Sequence, residues 1–324
     1  MSDDLKSYAI VADIGGTFAR FSRVNLENLV MDKIEIYSCA AYPCFESVFL
    51  AYKSQHSLEE ITQAAIAIAC PVLDDVICMT NAHWRFSISE SKQKLGLTKL
   101  KVLNDFNAIA MSLPVLSNQQ MLQIGRGAAN QNGTRAVLGA GTGLGVAFLL
   151  STQGGYSAHA GEGGHISWGA KTEQEWFIYR YLKRTYEHVS YERLLSGHGL
   201  ENLYQALAAL HQKETGHVPA SEIIALALAQ QCTIAEATVA QFFAILGSYA
   251  GDMALIFAAF GGVYIAGGIV PRLISLLHGS DFRSNFEEKG RFSDFNAKIP
   301  TYVITAEQPG ILGAAVYLKQ SWSR

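Results

Sequence analysis

Two strings of like construction, DIGGTFAR at residues 13–20 and GAGTGLGV at residues 139–146, stand 125 residues apart from the Gly16-Thr17 pair to the Gly141-Thr142 pair. Each is entered from an apolar run, residues 7–12 and 135–139, and each opens into another, residues 18–24 and 146–150. Short apolar runs broken by glycine predict a strand, a tight turn and a return strand. A single hairpin of this kind constrains little. The same device used twice at long range predicts two like-built lobes facing each other, since a repeated supersecondary unit signals repeated architecture.

A chain of 324 residues and 35.2 kDa has room for two such lobes, at about 150 residues per domain. Its charge is low and balanced, 25 Lys and Arg against 28 Asp and Glu, with 16% of residues charged where an average soluble domain has about 25%. That excludes a disordered chain of the high-charge type. No Lys/Arg stripe is available to neutralise a nucleic-acid backbone, so no nucleic-acid partner is expected. A small phosphorylated ligand asks less, a few backbone N–H groups and one or two cations. Cysteines at 39, 44, 70, 78 and 232 make neither a disulfide framework nor a Cys-x2-Cys zinc pair. A reducing compartment, the cytoplasm, is the expectation. The opening MSDDLK agrees, with two acids where a secretion signal needs basic residues. Residues 253–270 carry no charge, but Gly261, Gly262, Gly267, Gly268 and the closing Pro271-Arg272 break them into a buried helix end, a turn, a short strand and a glycine loop. No membrane span is expected there.

Between the hairpins, residues 46–55 predict a helix, and residues 64–70 (AAIAIAC), closed by Pro71, predict a strand covered on both faces. Ser57 with Glu60 has capping-box spacing at the start of a short turn or helix, Ser87 with Glu90 has it at the start of a helix, and Gly96 is placed to stop that helix. Residues 100–103 predict a strand that feeds Asn104-Asp105, followed by a helix up to Pro114. Helices dominate the second half: from Thr172 and Glu175 to about Tyr186, over 200–211, and from Thr233 and Glu236 to about Phe260. Residues 261–270 return to strand and loop, and Pro309-Gly310 precedes a last helix over 311–319. Periodicity fails over 114–134, which places the boundary there. The expected domains are a smaller α/β domain at 1–114 and a larger one at 115–308, with a terminal helix at about 309–324 packing back onto the first.

Three places can carry chemistry. The first turn sets Gly15, Gly16 and Thr17 behind Asp13. Glycines let the backbone approach an anion and present N–H groups, the Thr17 hydroxyl adds a donor, and Asp13 can reach a divalent cation directly or through water. The same residues equally suit a plain hairpin in which Asp13 caps the turn. Gly141, Thr142 and Gly143 offer a second cradle, with no Lys to complete a mononucleotide-binding loop. Two cradles, one with an acid, favour successive phosphates of a nucleotide. Asn104-Asp105 lies at a strand's end, where open α/β sheets place their chemistry. Asp105 reads either as a helix N-cap or as a general base for a hydroxyl attacking phosphorus, with Asn104 holding a neighbouring hydroxyl. Glu162 and His165, in the loop GEGGH, can bond adjacent hydroxyls or stand as a surface acid and a structural imidazole. Zinc at His165 would need further ligands, and no cysteine lies between 79 and 231, so no zinc site is expected. Glu192, behind Ser190, reads on pattern alone as a helix-dipole partner. The histidines at 56, 83, 159, 188, 198, 211, 217 and 278 lack ligand spacing and default to surface or core.

Taken in order, DIGGTFAR, IAIACPV, MTNAHWRFSI, the NDF of residues 104–106, GAGTGLGVA, GEGGH, SYERLLSGHGL, FGGVYIAGGIVPR, FEEKGRF and PGILGAAVYL carry a family resemblance. The chain closely resembles the bacterial-type glucokinases of the hexokinase and actin-like ATPase superfamily, over nearly its whole length. The resemblance implies an α/β, two-domain actin-like ATPase (ribonuclease H-like) fold with an interdomain cleft that closes over the sugar. It implies ATP and Mg2+, transfer of a phosphoryl group to the 6-hydroxyl of glucose, and a homodimer. Residue by residue, Asp105 matches the family's catalytic base, and Asn104, Glu162, His165 and Glu192 match side chains that bind the sugar. Residues 13–17 and 141–143 match the phosphate-binding hairpins, with Asp13 toward Mg2+. Gly267-Gly268 and the region of Pro309-Gly310 match the adenosine side.

Two positions depart from the family pattern. Phe18 stands where Asn is usual, although Arg20 is retained, and His198 stands where Pro is common. Related repressors and kinases often carry a cysteine-rich zinc motif after the GEGGH-like loop. The absence of that motif, and of a helix-turn-helix extension, favours the glucokinase branch over a DNA-binding sugar sensor. The alternatives are another hexose or N-acyl-hexosamine kinase using the same base, and a non-catalytic sugar- or nucleotide-binding regulator. Asp13, Asp105, Glu162 and His165 weigh against the latter.

Overall fold

Strand β1 (Tyr8–Ile14) is apolar on both faces, and Ala9, Ile10, Val11, Ala12 and Ile14 are all fully buried. A strand with no polar face is stable only between two covering layers, so β1 belongs at the centre of a sheet. In the computed structural model, which describes residues 7–79 and 83–322, it is that centre. Thr80, Asn81 and Ala82 of MTNAHWRFSI, and the opening MSDDLK, lie outside the described residues. The strands β2 (Phe18–Asn25), β3 (Met31–Ser38) and β4 (Gln63–Ile68) join β1, while β5 (Val76–Cys78) and β6 (Arg85–Ser87) pair separately. With β7 (Lys99–Asn104) the five-stranded order is β3-β2-β1-β4-β7, antiparallel from β1 through β3 and parallel from β1 through β7.

Helices α1 (Phe45–Gln55), α2 (Ile88–Lys94) and α3 (Asp105–Ser112) accompany this sheet. One face carries a cluster of Ile10, Ile14, Phe21, Phe45, Phe49, Tyr52 and Trp84. Ser87 caps α2 by accepting from Glu90 N at 3.1 Å, and Gly96 ends that segment at φ +64. Of the two readings of Ser57 and Glu60, the turn is the one that forms. Strand β3 escaped the sequence reading because its residues alternate half-buried and exposed, and an edge strand needs no apolar run.

The second sheet is built from β8 (Met121–Ile124), β9 (Arg135–Ala140), β10 (Leu144–Thr152), β11 (Gly155–Gly161), β12 (Val263–Ala266) and β13 (Thr301–Ile304), in the order β11-β10-β9-β12-β13-β8. Again a central strand, β9, pairs antiparallel with the strand that follows it and parallel with one that arrives by a crossover, β12. The repeat of the two glycine strings is therefore a repeat of sheet plan. Helices α4 (Glu173–Leu182), α5 (Gly197–Leu210), α6 (Ala220–Leu228) and α7 (Thr233–Ile256) lie between β11 and β12 in sequence. The short helices α8 (Ile274–Leu277), α9 (Phe282–Glu287) and α10 (Ser293–Ala297) precede β13, and α11 (Pro309–Trp322) ends the described chain. Among the described residues α7 is the helix long and apolar enough to cross a membrane, but 72% of its most apolar stretch is buried, and it packs on α5, α6 and α9. It starts with Cys232 as N-cap, not Thr233, and ends at Ile256 rather than near Phe260. The chain then turns through Ala258 at φ +44 to reach β12.

By internal contacts the chain divides into two units, Met1–Leu116 with Thr152–His159 and Ala306–Arg324, and Ser117–Ser151 with Ala160–Thr305. Helix α11 covers the second face of the first sheet, where Ile311, Ala314, Ala315 and Leu318 meet Ala9, Val11, Ala65 and Ala67. It packs closest on α3: a Cβ at Gly313 would overlap the carbonyl of Ala108. Glycine is required at that crossing for space.

Candidate active site

In the first unit the strand β7 delivers Asn104 to the start of α3. Asn104, not Asp105, is the N-cap, its Oδ1 accepting from Phe106 N at 3.0 Å and Asn107 N at 3.3 Å. Its Nδ2 donates to Asp105 Oδ1 at 2.9 Å and to the Cys70 carbonyl at 3.3 Å. Phe106 N donates to the same Asp105 Oδ1 at 2.9 Å. One carboxylate oxygen is thus pinned by two donors. Burial raises the Asp105 pKa to about 6, and the nearby Asp13 charge adds to the rise against those hydrogen bonds.

Asp13 is the penultimate residue of β1, opposite Arg20 on β2. Its carboxyl is pushed up mainly by burial, with Arg20 pulling it back. The turn beyond it is held from two sides: Gly15 N donates to Phe18 O at 3.0 Å, and Cys39 N donates to Thr17 O at 2.9 Å. Gly15 and Gly16 are half-buried and Thr17 is exposed. Phe18 is exposed too, at 46%, so the ring that replaces the usual Asn packs no core. The Pro309-Gly310 start of α11 lies against the Asp13 carboxylate, a Cβ at Gly310 falling 3.2 Å from its Oδ2. That is where a helix dipole favours an anion.

Two half-buried carboxylates, each raised mainly by burial, form a hard-oxygen set of the kind Mg2+ accepts, with phosphate oxygens and water completing its shell. Among the described residues no three His, Cys, Asp or Glu side chains gather as a metal cluster. An ion here would depend on ligand oxygens.

In the second unit Glu162, His165 and Glu192 come together. His165 Nε2 stands 4.0 Å from Glu162 Oε2 and 4.0 Å from Glu192 Oε1. Both gaps exceed a hydrogen bond, and a hydroxyl set to one side of either could reach carboxylate and ring together. Glu192 is no mere dipole partner. Its Oε2 accepts from Leu144 N at 2.9 Å, which locks it to the glycine turn. A Cβ at Gly143 would sit 2.6 Å from that same Oε2, so Gly143 is small to seat the carboxylate. At Gly141 and Gly268 an added Cβ meets nothing within 4 Å, and Thr142 is exposed. Gly267 holds φ +84 with no space for a Cβ beside the Ala140 carbonyl. The open positions of this turn are therefore Gly141, Thr142 and Gly268. The exposed His198, in the first turn of α5, pairs with Glu201 Oε2 at 3.2 Å.

The family model described as Glucokinase matches residues 10–321. The chain belongs to the glucokinase family. A glucokinase of Photorhabdus laumondii is 45% identical over 316 residues, covering 98% of both chains, and one of Colwellia psychrerythraea is 44% identical over 98% of both. The crystal structure of a glucokinase from an Antarctic psychrotroph superposes with a TM-score of 0.89 at 36% identity, covering 96% of this chain and 98% of that one. Glucokinases of the wider ROK group, such as one from Streptomyces griseus (TM-score 0.66, 18% identity, 97% and 99% coverage), share the fold. That fold is the actin-like ATPase architecture, which the paired sheet plans express.

Several residues around the glucokinase-family site carried no sequence signal. His188 defaulted to a surface or core role, yet its Nε2 lies 2.7 Å from the His165 carbonyl and ties the loop down. Asn107 Oδ1 is buried without a hydrogen-bond partner among the described residues, and it lines one cavity with Asn104 and Tyr317. Such contacts are made across the fold, where no spacing reports them.

Proposed function

We propose that the chain transfers the γ-phosphoryl group of ATP to the 6-hydroxyl of D-glucose, giving glucose 6-phosphate and ADP, with Asp105 as general base. The observation that carries this is Asp105 itself. One oxygen is fixed by Asn104 Nδ2 and Phe106 N, the other is available, and the acid titrates at about 6. Near pH 7.5 the group is mostly ionised yet more basic than an ordinary carboxylate, which suits proton transfer. The sugar hydroxyl gives its proton to Asp105 Oδ2 as its oxygen bonds to phosphorus. The bond from the γ-phosphorus to the β-phosphate bridging oxygen breaks, and ADP leaves.

Glu162, His165 and Glu192 serve as the sugar's readers, with hydroxyls bridging from one side the pairs that stand 4.0 Å apart. Asn104 orients the base, and it reaches a sugar hydroxyl only by giving up a bond it holds here. Gly15, Gly16, Thr17, Gly141, Thr142 and Gly143 attend the phosphates, and Gly267 with Gly268 the adenosine. Asp13 would hold Mg2+ through water, and the ion would offset negative charge on the transferring phosphoryl group. The family likeness adds a cytoplasmic homodimer. Coupled ADP release, measured with and without glucose and then across a panel of hexoses and N-acyl-hexosamines, tests the reading. ADP release that does not depend on any sugar would refute it, and a better substrate than glucose would correct the specificity.

A further inference from the structure

The block FEEKGRF has no part in the site as described, yet its lysine side chain is almost wholly withdrawn from solvent. The Lys289 side chain is 7% exposed and places Nζ 2.8 Å from Asp252 Oδ1 and 2.9 Å from the Ser248 carbonyl, both on α7. Burying an ammonium is costly unless a charge balances it. Burial pulls the Lys289 pKa down and Asp252 pulls it back up. With Oδ1 held by the lysine, Asp252 Oδ2 accepts from the Tyr191 hydroxyl at 3.3 Å. Tyr191 immediately precedes Glu192.

Tyr191 is also tied to the GEGGH loop. Its N donates to the Ile166 carbonyl at 3.2 Å. Its ring lies over Tyr249, 4.3 Å between centroids. The Tyr249 hydroxyl is buried without a hydrogen-bond partner among the described residues, directly beneath Gly163, where a Cβ would come within 2.8 Å of it. So the chain from Lys289 through Asp252 to Tyr191 ends on both of the segments that carry sugar readers, Glu192 on one side and the 163–165 loop on the other.

We propose that Lys289 and Asp252, acting through Tyr191, are positioning residues for sugar recognition, holding Glu192 at its distance from His165 on the 163–165 loop. This rests on the reading of Glu162, His165 and Glu192 as sugar contacts. The His165–Glu192 gap is 4.0 Å, so a drift of about 1 Å between the two segments would close it or put the two groups out of common reach of one hydroxyl, and misplacement of that size is expensive in a binding geometry. A role in folding alone would lower stability and leave the two substrates' KM values untouched.

The test is steady-state kinetics against glucose and against ATP, with thermal melts, on Tyr191→Phe, Lys289→Met and Glu192→Gln. Tyr191→Phe removes one oxygen and keeps the ring stack, so it remains decisive if Lys289→Met fails to fold. Tyr191→Phe and Lys289→Met are expected to raise the glucose KM about three- to tenfold, as for one lost hydrogen bond, with the ATP KM unchanged within about twofold. Glu192→Gln should raise the glucose KM further. Folded variants with unchanged glucose KM, or with both KM values raised alike, overturn the positioning role while a Glu192→Gln effect leaves the site standing. No glucose effect in Glu192→Gln overturns the sugar site beneath it.

Discussion

Replacing Asp105 with Asn separates two roles that a carboxylate at a helix start can play. In the folded chain this acid titrates at about 6 against an ordinary value of 3.8. A raised carboxyl contributes stability that is fully present below the unfolded pKa and is lost as pH rises through the folded one. At about 1.4 kcal/mol per pH unit, that gap withdraws about 3 kcal/mol by neutral pH. An asparagine cannot ionise, and its Oδ1 can still accept from Asn104 and Phe106, though more weakly than a charged oxygen. The variant is therefore expected to be more stable than the parent by about 2 kcal/mol at pH 7.5, or about 4–8 °C in Tm, and equal to it near pH 4. Turnover should fall by about two to four orders of magnitude, the range for losing a general base. Paired melts at pH 4.0 and 7.5 with coupled ADP release measure both. A variant that melts at or below the parent at pH 7.5 would refute the buried-charge account. Near-normal turnover would remove Asp105 from the chemistry.

The apparent kcat/KM for the sugar should decline as pH falls through about 6, since protonated Asp105 cannot accept. Asp13→Asn, by removing the neighbouring negative charge, should move that acidic limb to lower pH and raise the Mg2+ needed at fixed ATP. A limb that stays in place would show that the two acids do not interact. Gly143→Ala should raise the glucose KM at least as much as that of ATP, because its Cβ falls 2.6 Å from Glu192 Oε2. Gly141→Val, at a position with open space around it, should affect ATP binding first, and calorimetry with each ligand distinguishes the two. Gly313→Val should destabilise the fold by about 3 kcal/mol, read by denaturant titration, since its side chain would enter the Ala108 carbonyl where α11 crosses α3.

What the sequence made legible follows from what leaves a local trace. The apolar run at 64–70 became β4, and Asn104-Asp105 did fall at a strand-to-helix junction, because burial on two faces and capping both impose residue types nearby in sequence. The cap itself was assigned to the wrong neighbour as one alternative: Asn104 takes it, which frees Asp105. Strand β3 and helix α6 were missed, the one a half-exposed edge and the other without a side-chain cap. Glu192 was legible only through resemblance. Its docking on Leu144 N spans 48 residues, and no pattern within Ser190-Tyr191-Glu192 announces it.

The two glycine strings show how far such likeness carries. Their sheets share a plan, yet the turns differ: β1 and β2 close on the pair Ile14–Ala19, with Gly15 through Phe18 between them, whereas β9 and β10 close on Ala140–Leu144, with only Gly141 through Gly143 between. One pair back from the turn, the first sheet has Asp13 opposite Arg20 and the second has Gly139 opposite Gly145. No acid could take the place of Gly139, because a Cβ there would stand 2.7 Å from the backbone of Ala266 on β12. The second hairpin instead receives its carboxylate from outside, from Glu192, seated where Gly143 has no side chain. Repetition thus supplies two frames of one shape, and the tight approach of β12 in one of them forces the acids into unlike places. The carboxylate built into its own hairpin strand lies near Asp105, while the one brought in by a distant segment lies beside His165.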